Sequence, residues 1–272
     1  MIDQPIARPA FRVLPRLIRA AAALLLTGLL ASAPLASATA AEFTDSQKTE
    51  LGTIIREYLM KNPEVLRDAI SELESRQHAD EANARSKAIA DNQELLQHSQ
   101  HNAVVGNADG KFTLVEFFDY NCGYCKTALP DLVRLMKDQP DLRVVLKDFP
   151  VLGPGSVEAA QVAIALRNQL KGAKYWDFHQ KLLGLRGKPV GKAEALAAAR
   201  DAGADMAKLT KDMDGPEIAA SLQEVGKLAD ALSLSGTPTY IVGDEVIVGA
   251  VGYDQIKGRL DNMRKCGKAA CS

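Results

Sequence analysis

Near the middle of the chain lies the stretch Phe117-Phe118-Asp119-Tyr120-Asn121-Cys122-Gly123-Tyr124-Cys125-Lys126-Thr127. The apolar segment that leads into it predicts a buried strand, and the apolar spacing that follows it predicts a helix. Two cysteines separated by two residues therefore stand at a strand-to-helix junction. A thiol in the first turn of a helix faces unpaired backbone N–H groups and the positive end of the helix dipole, and both favour the thiolate. This context indicates a redox-active pair.

The two cysteines are expected to have different roles. Cys122 is predicted to be the exposed, acidic sulfur that attacks, and Cys125 is placed to attack a mixed disulfide on Cys122 and release it. Two structural alternatives are half of a zinc site and a permanent disulfide. The zinc alternative needs a second ligand pair, and Cys266 and Cys271 are spaced wrongly for a zinc knuckle. We therefore expect neither a metal nor a cofactor.

Residues 1–40 have the pattern of an export signal. Four arginines form a basic leader, residues 20–30 are apolar except for Thr27 and Gly28, and small-x-small cleavage sites follow within residues 36–40. The apolar segment is short for a membrane span, although an uncleaved anchor is an alternative. No cysteine precedes Cys122, so none stands at the cleavage site to carry a lipid. We expect a cleaved signal peptide and a periplasmic protein.

The composition excludes one class of partner. The 272 residues are 47% apolar and 25% charged, which is typical of globular proteins. Without residues 1–40 the net charge is about −4, and no block of Lys and Arg that could follow a phosphate backbone is present. Nucleic acid is therefore not expected as a partner. Four cysteines in an exported chain fit a compartment in which disulfides form.

The segment after the leader predicts two short amphipathic helices. Asn62-Pro63 separates them, and both carry apolar residues at helical spacing, namely Leu51, Ile54, Ile55, Tyr58, Leu59 and then Leu66, Ala69, Ile70, Leu73. Two such helices cannot bury both apolar faces alone. They either pack on the main domain or associate with copies of themselves, and we favour self-association. The charged residues that follow predict a solvated helical linker.

Glu116 is the one charged residue of the predicted strand Phe112–Phe118 and lies six positions before Cys122. A buried carboxyl group there would have a raised pKa and could take up and return the proton of Cys125. An exposed position at a sheet edge is the alternative. Lys147, near the end of the next predicted strand, could approach Glu116 if the two strands are neighbours, with a surface position as its alternative.

The remaining chain predicts a helical insert between strands. Residues 154–234 have helical patterns throughout, and strand character returns at Gly236-Thr237-Pro238-Thr239, where a cis bond before Pro238 would be useful. Cys266 and Cys271 close the chain after a final helix. A local structural disulfide is the main interpretation, and a second redox pair and a metal site are the alternatives.

This order of elements resembles the thioredoxin fold of the DsbA-like periplasmic thiol-disulfide oxidoreductases, from about residue 103 to residue 264. Four segments carry the resemblance: residues 118–125, Phe149-Pro150, residues 175–179 and residues 236–239. It implies an α/β thioredoxin fold with an inserted helical subdomain, preceded by an N-terminal helical segment. It also implies that Glu116 takes the position of the family's buried acid and that Thr237 and Pro238 face the cysteines.

Residues 58–66 are similar to a helical segment that precedes the catalytic domain in the ScsC-type subset of this family, in which some members oligomerise. The similarity implies a homo-oligomer, such as a trimer. Gly123-Tyr124 between the cysteines is the pair found in a disulfide isomerase, and the strong oxidases carry Pro-His there. Thr237 before Pro238 also resembles the isomerases.

The resemblance implies thiol-disulfide exchange on exported protein substrates that carry thiols or disulfides, with a membrane redox partner that recycles the cysteine pair. We favour a disulfide isomerase or reductase over a monomeric oxidase. A protein that holds Cu(I) between Cys122 and Cys125 is an alternative from another class. Backbone groups of Thr237 are placed to pair with an extended substrate segment as an added strand.

We therefore expect four parts along the chain. A signal peptide covers residues 1–40, an N-terminal helical oligomerisation segment covers residues 41–74, and a helical linker covers residues 75–100. The catalytic domain then covers residues 101–272, with its helical insert at about residues 154–234.

Overall fold

The computed structural model describes residues 42–271, and the predicted export signal at residues 1–40 lies outside them. The chain divides into two compact units, with the boundary between Asn62 and Pro63. Within residues 42–271, no helix combines the length and the apolar character that a bilayer span requires.

The described part of the first unit is one helix, α1 (Asp45–Lys61). It begins at a capping box, because the Thr44 hydroxyl accepts a hydrogen bond from the Gln47 backbone N–H and the Gln47 side chain accepts one from the Thr44 backbone N–H. The helix buries none of its residues. Its apolar face is roughly half exposed, and its large side chains are Leu51, Ile54, Ile55 and Tyr58.

The second unit begins with a long helix, α2 (Glu64–Asp91), and the short helix α3 (Gln93–Gln97). The helix α2 continues without a break across residues 74 and 75, where the sequence led us to expect the linker to begin. Leu66, Ile70 and Leu73 near its start are exposed, whereas Ile89 near its end is buried. Only the last part of α2 therefore contributes to the core of this unit.

A five-stranded mixed sheet forms the centre of the second unit. The strands are β1 (Ala103–Gly106), β2 (Phe112–Phe118), β3 (Leu142–Asp148), β4 (Thr239–Val242) and β5 (Glu245–Val248), in the spatial order β1-β3-β2-β4-β5. The strands β2 and β3 are parallel, and the other pairs are antiparallel. Because β2 is the central strand and both its faces are covered, its sequence is almost continuously apolar.

Helices cover both faces of the sheet. The helix α4 (Gly123–Asp138) joins β2 to β3, and α10 (Tyr253–Cys266) ends the chain. Five helices form the insert between β3 and β4: α5 (Pro154–Leu166), α6 (Gly172–Leu183), α7 (Lys192–Asp201), α8 (Met206–Met213) and α9 (Pro216–Ala231). One core contains Leu114, Phe118 and Leu146 with α4 and most of the insert. The other contains Val115 and Phe117 with residues of α2, α3 and α9.

Lys147 does not approach Glu116, although their strands are neighbours. Glu116 lies opposite Leu146 in the register of β2 and β3, so Lys147, one residue further along, projects from the other face of the sheet. The surface alternative is wrong as well, because Lys147 is buried. Its Nζ donates to Oε1 of Glu224 at 3.0 Å and to the carbonyl oxygen of Leu95 at 2.7 Å.

Basic side chains of the domain anchor the segment that follows α2. Arg143 donates to the carbonyl oxygen of Gln97 at 2.7 Å, and Arg167 donates to that of His101. Together with Lys147 they satisfy carbonyl groups near the end of α3, which have no partner within the helix. The connection between α2 and the sheet is thereby fixed by partly buried hydrogen bonds.

We predict that replacing Glu224 by Ala lowers the free energy of unfolding by about 3 kcal/mol, because it leaves the buried Lys147 ammonium without its ionic partner. Denaturant titration followed by circular dichroism measures this change. Asp201→Ala removes the exposed ion pair with Lys181 and serves as the matched control, for which we expect almost no change. Equal stability of the two variants would contradict the prediction.

Candidate active site

The cysteine pair lies where β2 passes into α4. Cys122 is the N-cap residue of α4, and its Sγ accepts a hydrogen bond from the backbone N–H of Cys125 at 3.3 Å. Cys125 lies one turn further in and is completely buried. Cys122 is less exposed than the sequence led us to expect, since only 5% of its surface is accessible. The loop that contains Thr237 covers it, and Sγ of Cys122 lies 3.1 Å from the Thr237 carbonyl oxygen, to which it donates only in its thiol form.

Polar side chains before Cys122 fix the turn that presents it. The Asp119 carboxylate accepts hydrogen bonds from four donors: the backbone N–H groups of Asn121, Val151 and Leu152 and the hydroxyl group of Ser156. The Asn121 amide both donates to the carbonyl oxygen and accepts from the N–H of Val190. The insert therefore holds the turn in place. No sequence pattern pointed to these roles of Asp119 and Asn121, because their partners after β3 lie more than 30 residues away.

An aromatic cluster packs against the same turn. Tyr120 Oη lies 3.3 Å from His179 Nδ1, and the ring of Phe118 contacts both side chains edge-on. Trp176 stacks on His179. Burial lowers the pKa of His179 to about 3, so the imidazole is neutral in the folded protein. Residues 175–179, which carried part of the family resemblance, thus form packing beneath the cysteines.

The surroundings of Cys122 favour its ionised form. Its pKa is lowered to about 6, chiefly because the Cys125 thiol donates a hydrogen bond to it. Burial opposes this effect, while the Thr237 side chain and the backbone N–H groups of Cys125 and Tyr124 reinforce it. At neutral pH most Cys122 side chains are therefore thiolates, the form that attacks a disulfide.

Cys125 has the opposite tendency. Its pKa is raised well above the ordinary value for a thiol, first because it donates its proton to the Cys122 sulfur, then because it is buried, and further because of the charge of Glu116. It is therefore a neutral thiol while Cys122 is a thiolate. Any attack by Cys125 needs a group that removes its proton.

Glu116 is the acidic side chain that we expected to remove the Cys125 proton. It is 2% exposed, which excludes the edge position, and burial raises its pKa to about 8. Tyr240 lies directly opposite it in the register of β2 and β4 and donates a hydrogen bond to it, which partly offsets the burial. The other carboxylate oxygen, Oε2, has no hydrogen-bond partner within the described residues. A carboxyl group with a pKa near neutrality can both accept and return a proton.

Tyr240 is a residue of this site that the sequence analysis missed. It is 1% exposed, and burial and the Glu116 charge raise its pKa, so it remains a hydrogen-bond donor. The alternation of β4 would have placed it on one face of that strand. Only the pairing of β4 with β2, which is remote in sequence, places that face against Glu116.

The other predicted site residues fall into two groups, those close to the cysteine pair and the Cys266–Cys271 pair, which lies away from it. The Thr237–Pro238 peptide bond is cis, and the Pro238 carbonyl oxygen accepts a hydrogen bond from the Gly249 N–H. Tyr124 is 72% exposed, and a Cβ atom on Gly123 would meet open space. Cys266 and Cys271 are joined by a disulfide. It lies beside the β4–β5 turn, at the end of β4 away from Pro238, where Ala269 donates to Asp244.

Comparison with family profiles gives two matches. The profile described as DSBA-like thioredoxin domain matches residues 113–261, which is more than half of the chain. The profile described as Copper resistance protein ScsC N-terminal domain matches residues 47–79. The second match covers α1 and the first half of α2.

Similar proteins and structures extend this result. A thioredoxin-like oxidoreductase from Silicibacter pomeroyi shares 37% identity, covering 64% of this chain and 99% of its own, with a TM-score of 0.60. ScsC of Proteus mirabilis in a transitional conformation shares 29% identity over 79% of this chain and 94% of its own, with a TM-score of 0.57. Disulfide bond formation protein D of Bacillus subtilis is 27% identical over 60% of this chain and 77% of its own length. The predicted fold class is confirmed.

We predict that the rate at which iodoacetamide alkylates Cys122 rises with pH around a midpoint near 6, where the thiolate forms. Stopped-flow measurement on the reduced protein gives the profile. In Cys125→Ala the midpoint moves to higher pH, because the strongest hydrogen bond to the thiolate is lost. A midpoint near 8.5, the value of an ordinary free thiol, would contradict the predicted activation.

We predict that Glu116→Gln stabilises the fold at pH 8 and has little effect at pH 4. In the folded protein the carboxyl group keeps its proton up to about pH 8, while in the unfolded chain it loses it near pH 4.5. The stability that this group contributes is therefore complete below pH 4.5 and is lost as the pH rises to 8. Denaturant titrations should show a gain from the substitution that grows over this range, to on the order of 4 kcal/mol. A gain independent of pH would contradict the prediction.

Proposed function

Because the chain belongs to the DSBA-like thioredoxin domain family, we propose that it is an exported protein disulfide isomerase and reductase that works through Cys122-Gly123-Tyr124-Cys125. Membership confirms the resemblance that the motifs indicated, and the chain is a thiol-disulfide oxidoreductase of the DsbA/ScsC type. The proposal rests on the contrast between the two cysteines. Cys122, at the N-terminus of α4, is a thiolate, whereas Cys125, in the first turn of the helix, keeps its proton.

In the first step, the Cys122 thiolate attacks one sulfur of a substrate disulfide. A bond forms between Cys122 and that sulfur, the substrate S–S bond breaks, and the other substrate sulfur leaves as a thiolate. The low pKa of Cys122 supplies the nucleophile at neutral pH. In the isomerase reaction, another substrate thiolate then attacks the mixed disulfide, forms a new substrate disulfide and releases Cys122.

In the reductase reaction, Cys125 resolves the mixed disulfide. In its ionised form Glu116 accepts the Cys125 proton as Cys125 attacks the Cys122 sulfur. The bond between Cys122 and the substrate breaks, and the substrate sulfur leaves as a thiolate that takes a proton from water. The pair ends oxidised, and a membrane redox partner must return two electrons and two protons to it. Tyr240 holds the Glu116 carboxyl group beside the sulfurs and is a positioning residue in this step.

The loop of Thr237 and Pro238 provides a place for the substrate backbone. The Thr237 carbonyl oxygen lies 3.1 Å from the Cys122 sulfur, so a segment that pairs with this loop brings its own cysteine to the reacting atom. Pairing through backbone groups adds a strand without reading side chains. This supports activity on many exported proteins.

The N-terminal helix supports the preference for isomerisation. An isomerase must keep its cysteines reduced in an oxidising compartment, and association of several chains shields them from the oxidase machinery. The exposed apolar face of α1 is suited to such association, because side chains of this size are rarely left in a contiguous exposed patch without a partner. We propose a homo-oligomer formed through residues 42–62, with a trimer as the expected form.

The proposal is tested by equilibrating the cysteine pair with glutathione and measuring the mass in solution. An oligomer whose pair is stable in the reduced form supports the isomerase, whereas a strongly oxidising monomer supports the DsbA-like oxidase. A difference of about 30 mV in potential changes the ratio of the two redox forms tenfold. Tight binding of Cu(I) without any thiol exchange would instead favour the copper-binding alternative.

We predict that Leu51→Asp combined with Ile55→Asp converts the oligomer to a monomer and lowers isomerase activity on a scrambled disulfide substrate by about tenfold or more. Thiol exchange with a small peptide should be unchanged, because α1 contains none of the residues assigned to the exchange chemistry. Light scattering and a refolding assay measure the two effects.

Thr53→Asp is the matched control, since Thr53 lies on the opposite side of α1 from Leu51 and Ile55. It should leave both the mass and the activity unchanged. Full isomerase activity in a monomeric double variant would contradict the assigned role of α1.

A further inference from the structure

A pocket of about 440 Å³ lies beside the active-site turn and has no part in the chemistry described above. It is lined by Asn121, Lys126, Leu152, Pro154, Gly155, Lys188 and Pro189. Asn121 directly precedes Cys122, and Lys126 directly follows Cys125. A substrate whose disulfide lies against Cys122 therefore passes the mouth of this pocket with residues next to its own cysteine.

Two neighbouring basic side chains, Lys126 in the lining of the pocket and Arg186 next to it, carry positive charge here. Lys126 is buried, and its Nζ donates to the Leu185 carbonyl oxygen at 2.8 Å, which uses one of its three N–H groups. Arg186 donates in return to the Lys126 carbonyl oxygen at 2.8 Å. Among the residues that the structure describes, neither side chain forms a salt bridge. Burial and the neighbouring Arg186 lower the pKa of Lys126, while the charges of Asp119 and Cys122 oppose this shift in part.

The Asp119 carboxylate does not form an ion pair with Lys126, because other groups already donate hydrogen bonds to it. Asp119 raises the pKa of Lys126 by its charge, but its two oxygens accept four hydrogen bonds within the turn. Lys188, on the other side of the pocket, pairs with Glu194 at 2.9 Å, and its side chain is 60% exposed. Lys188 can therefore turn toward an incoming anion with little loss.

The backbone of the pocket also favours an anion. The 13-residue helix α5 begins here at Pro154, and its N-cap residue, Gly153, provides no side-chain cap. The first N–H groups of the helix, including that of Gly155, point out of its N-terminus without a partner within the helix. A side chain at Gly155 would collide with the Val190 carbonyl oxygen at 2.9 Å, so glycine allows the start of α5 to pack closely against Val190.

From these groups we propose that the pocket binds a carboxylate side chain, Asp or Glu, that lies next to the reacting cysteine of the substrate. The apolar surfaces of Leu152, Pro154 and Pro189 contact the stem of that side chain, while Lys126 and the first turn of α5 face its charge. The enzyme consequently prefers disulfides flanked by acidic residues. This inference rests on the proposed exchange activity and names the substrates that it favours.

The preference for acidic residues comes from groups in the pocket, because the net charge of the protein does not favour acidic peptides. The whole chain has a formal net charge of −1, so its long-range field does not attract acidic peptides. A faster reaction with an acidic peptide must therefore come from groups beside the active site, and salt should screen it.

The test uses one synthetic peptide with an internal disulfide in three versions, with Asp, Asn or Lys beside one cysteine. We expect the reduced full chain to react about fivefold faster with the Asp peptide than with the Asn peptide, and slowest with the Lys peptide. The differences should shrink in about 0.5 M NaCl. Equal rates for all three peptides would overturn the specificity while leaving the exchange activity supported. No reaction with any peptide would overturn the proposed function itself.

Two variants locate the effect. Lys188→Gln and Lys126→Met each remove one positive charge from the lining of the pocket and should each lower the ratio of the Asp rate to the Asn rate. Lys208→Met on α8 removes the same charge away from the pocket and should preserve the preference. If Lys126→Met instead slows all three peptides equally and shifts the pH profile of Cys122 alkylation, Lys126 acts on the thiolate and the proposed pocket is wrong.

Discussion

The proposed chemistry of this protein depends on the unequal proton affinities of two neighbouring sulfur atoms. The Cys125 thiol donates to Cys122, and this donation is the largest reason why Cys122 is a thiolate and Cys125 is not. The first turn of α4 adds backbone N–H groups that face the same sulfur. Attack and resolution are therefore assigned to different cysteines before any substrate arrives. Neither sulfur could keep its role if the helix began one residue earlier or later.

The protein keeps an acidic side chain, the proposed proton carrier for resolution, in its core at a cost in stability. Glu116 occupies a strand that is otherwise apolar, and its carboxyl group retains a proton up to about pH 8. The hydrogen bond from Tyr240 offsets part of the burial penalty. On the other face of the sheet, Lys147 is buried with the partner that Glu116 lacks. The contrast indicates that Lys147 and Glu224 serve the fold, while Glu116 is available for proton transfer.

Two parts of the surface around the active site are suited to different kinds of substrate recognition, one through the backbone and one through a side chain. We propose that the loop of Thr237 pairs with the backbone of an extended substrate segment, and that the pocket at Lys126 recognises the side chain beside the reacting cysteine. The insert supports the cysteine turn and the pocket together, because Asp119 and Asn121 tie that turn to α5 and to Val190. Changes in the insert should therefore affect the position of Cys122 as well as the pocket.

The sequence by itself determined the junction of β2 and α4, the acidic character of Cys122, the helical insert and the strand that follows Pro238, because each depends on local periodicity and spacing. Tertiary structure alone decided which side chains meet. The parallel register of β2 and β3 sends Lys147 away from Glu116, and the pairing of β2 with β4 brings Tyr240 to it. It also decided that the loop of Thr237 covers Cys122. Such contacts join residues far apart in the chain, and strand order and register, which no short pattern encodes, fix them.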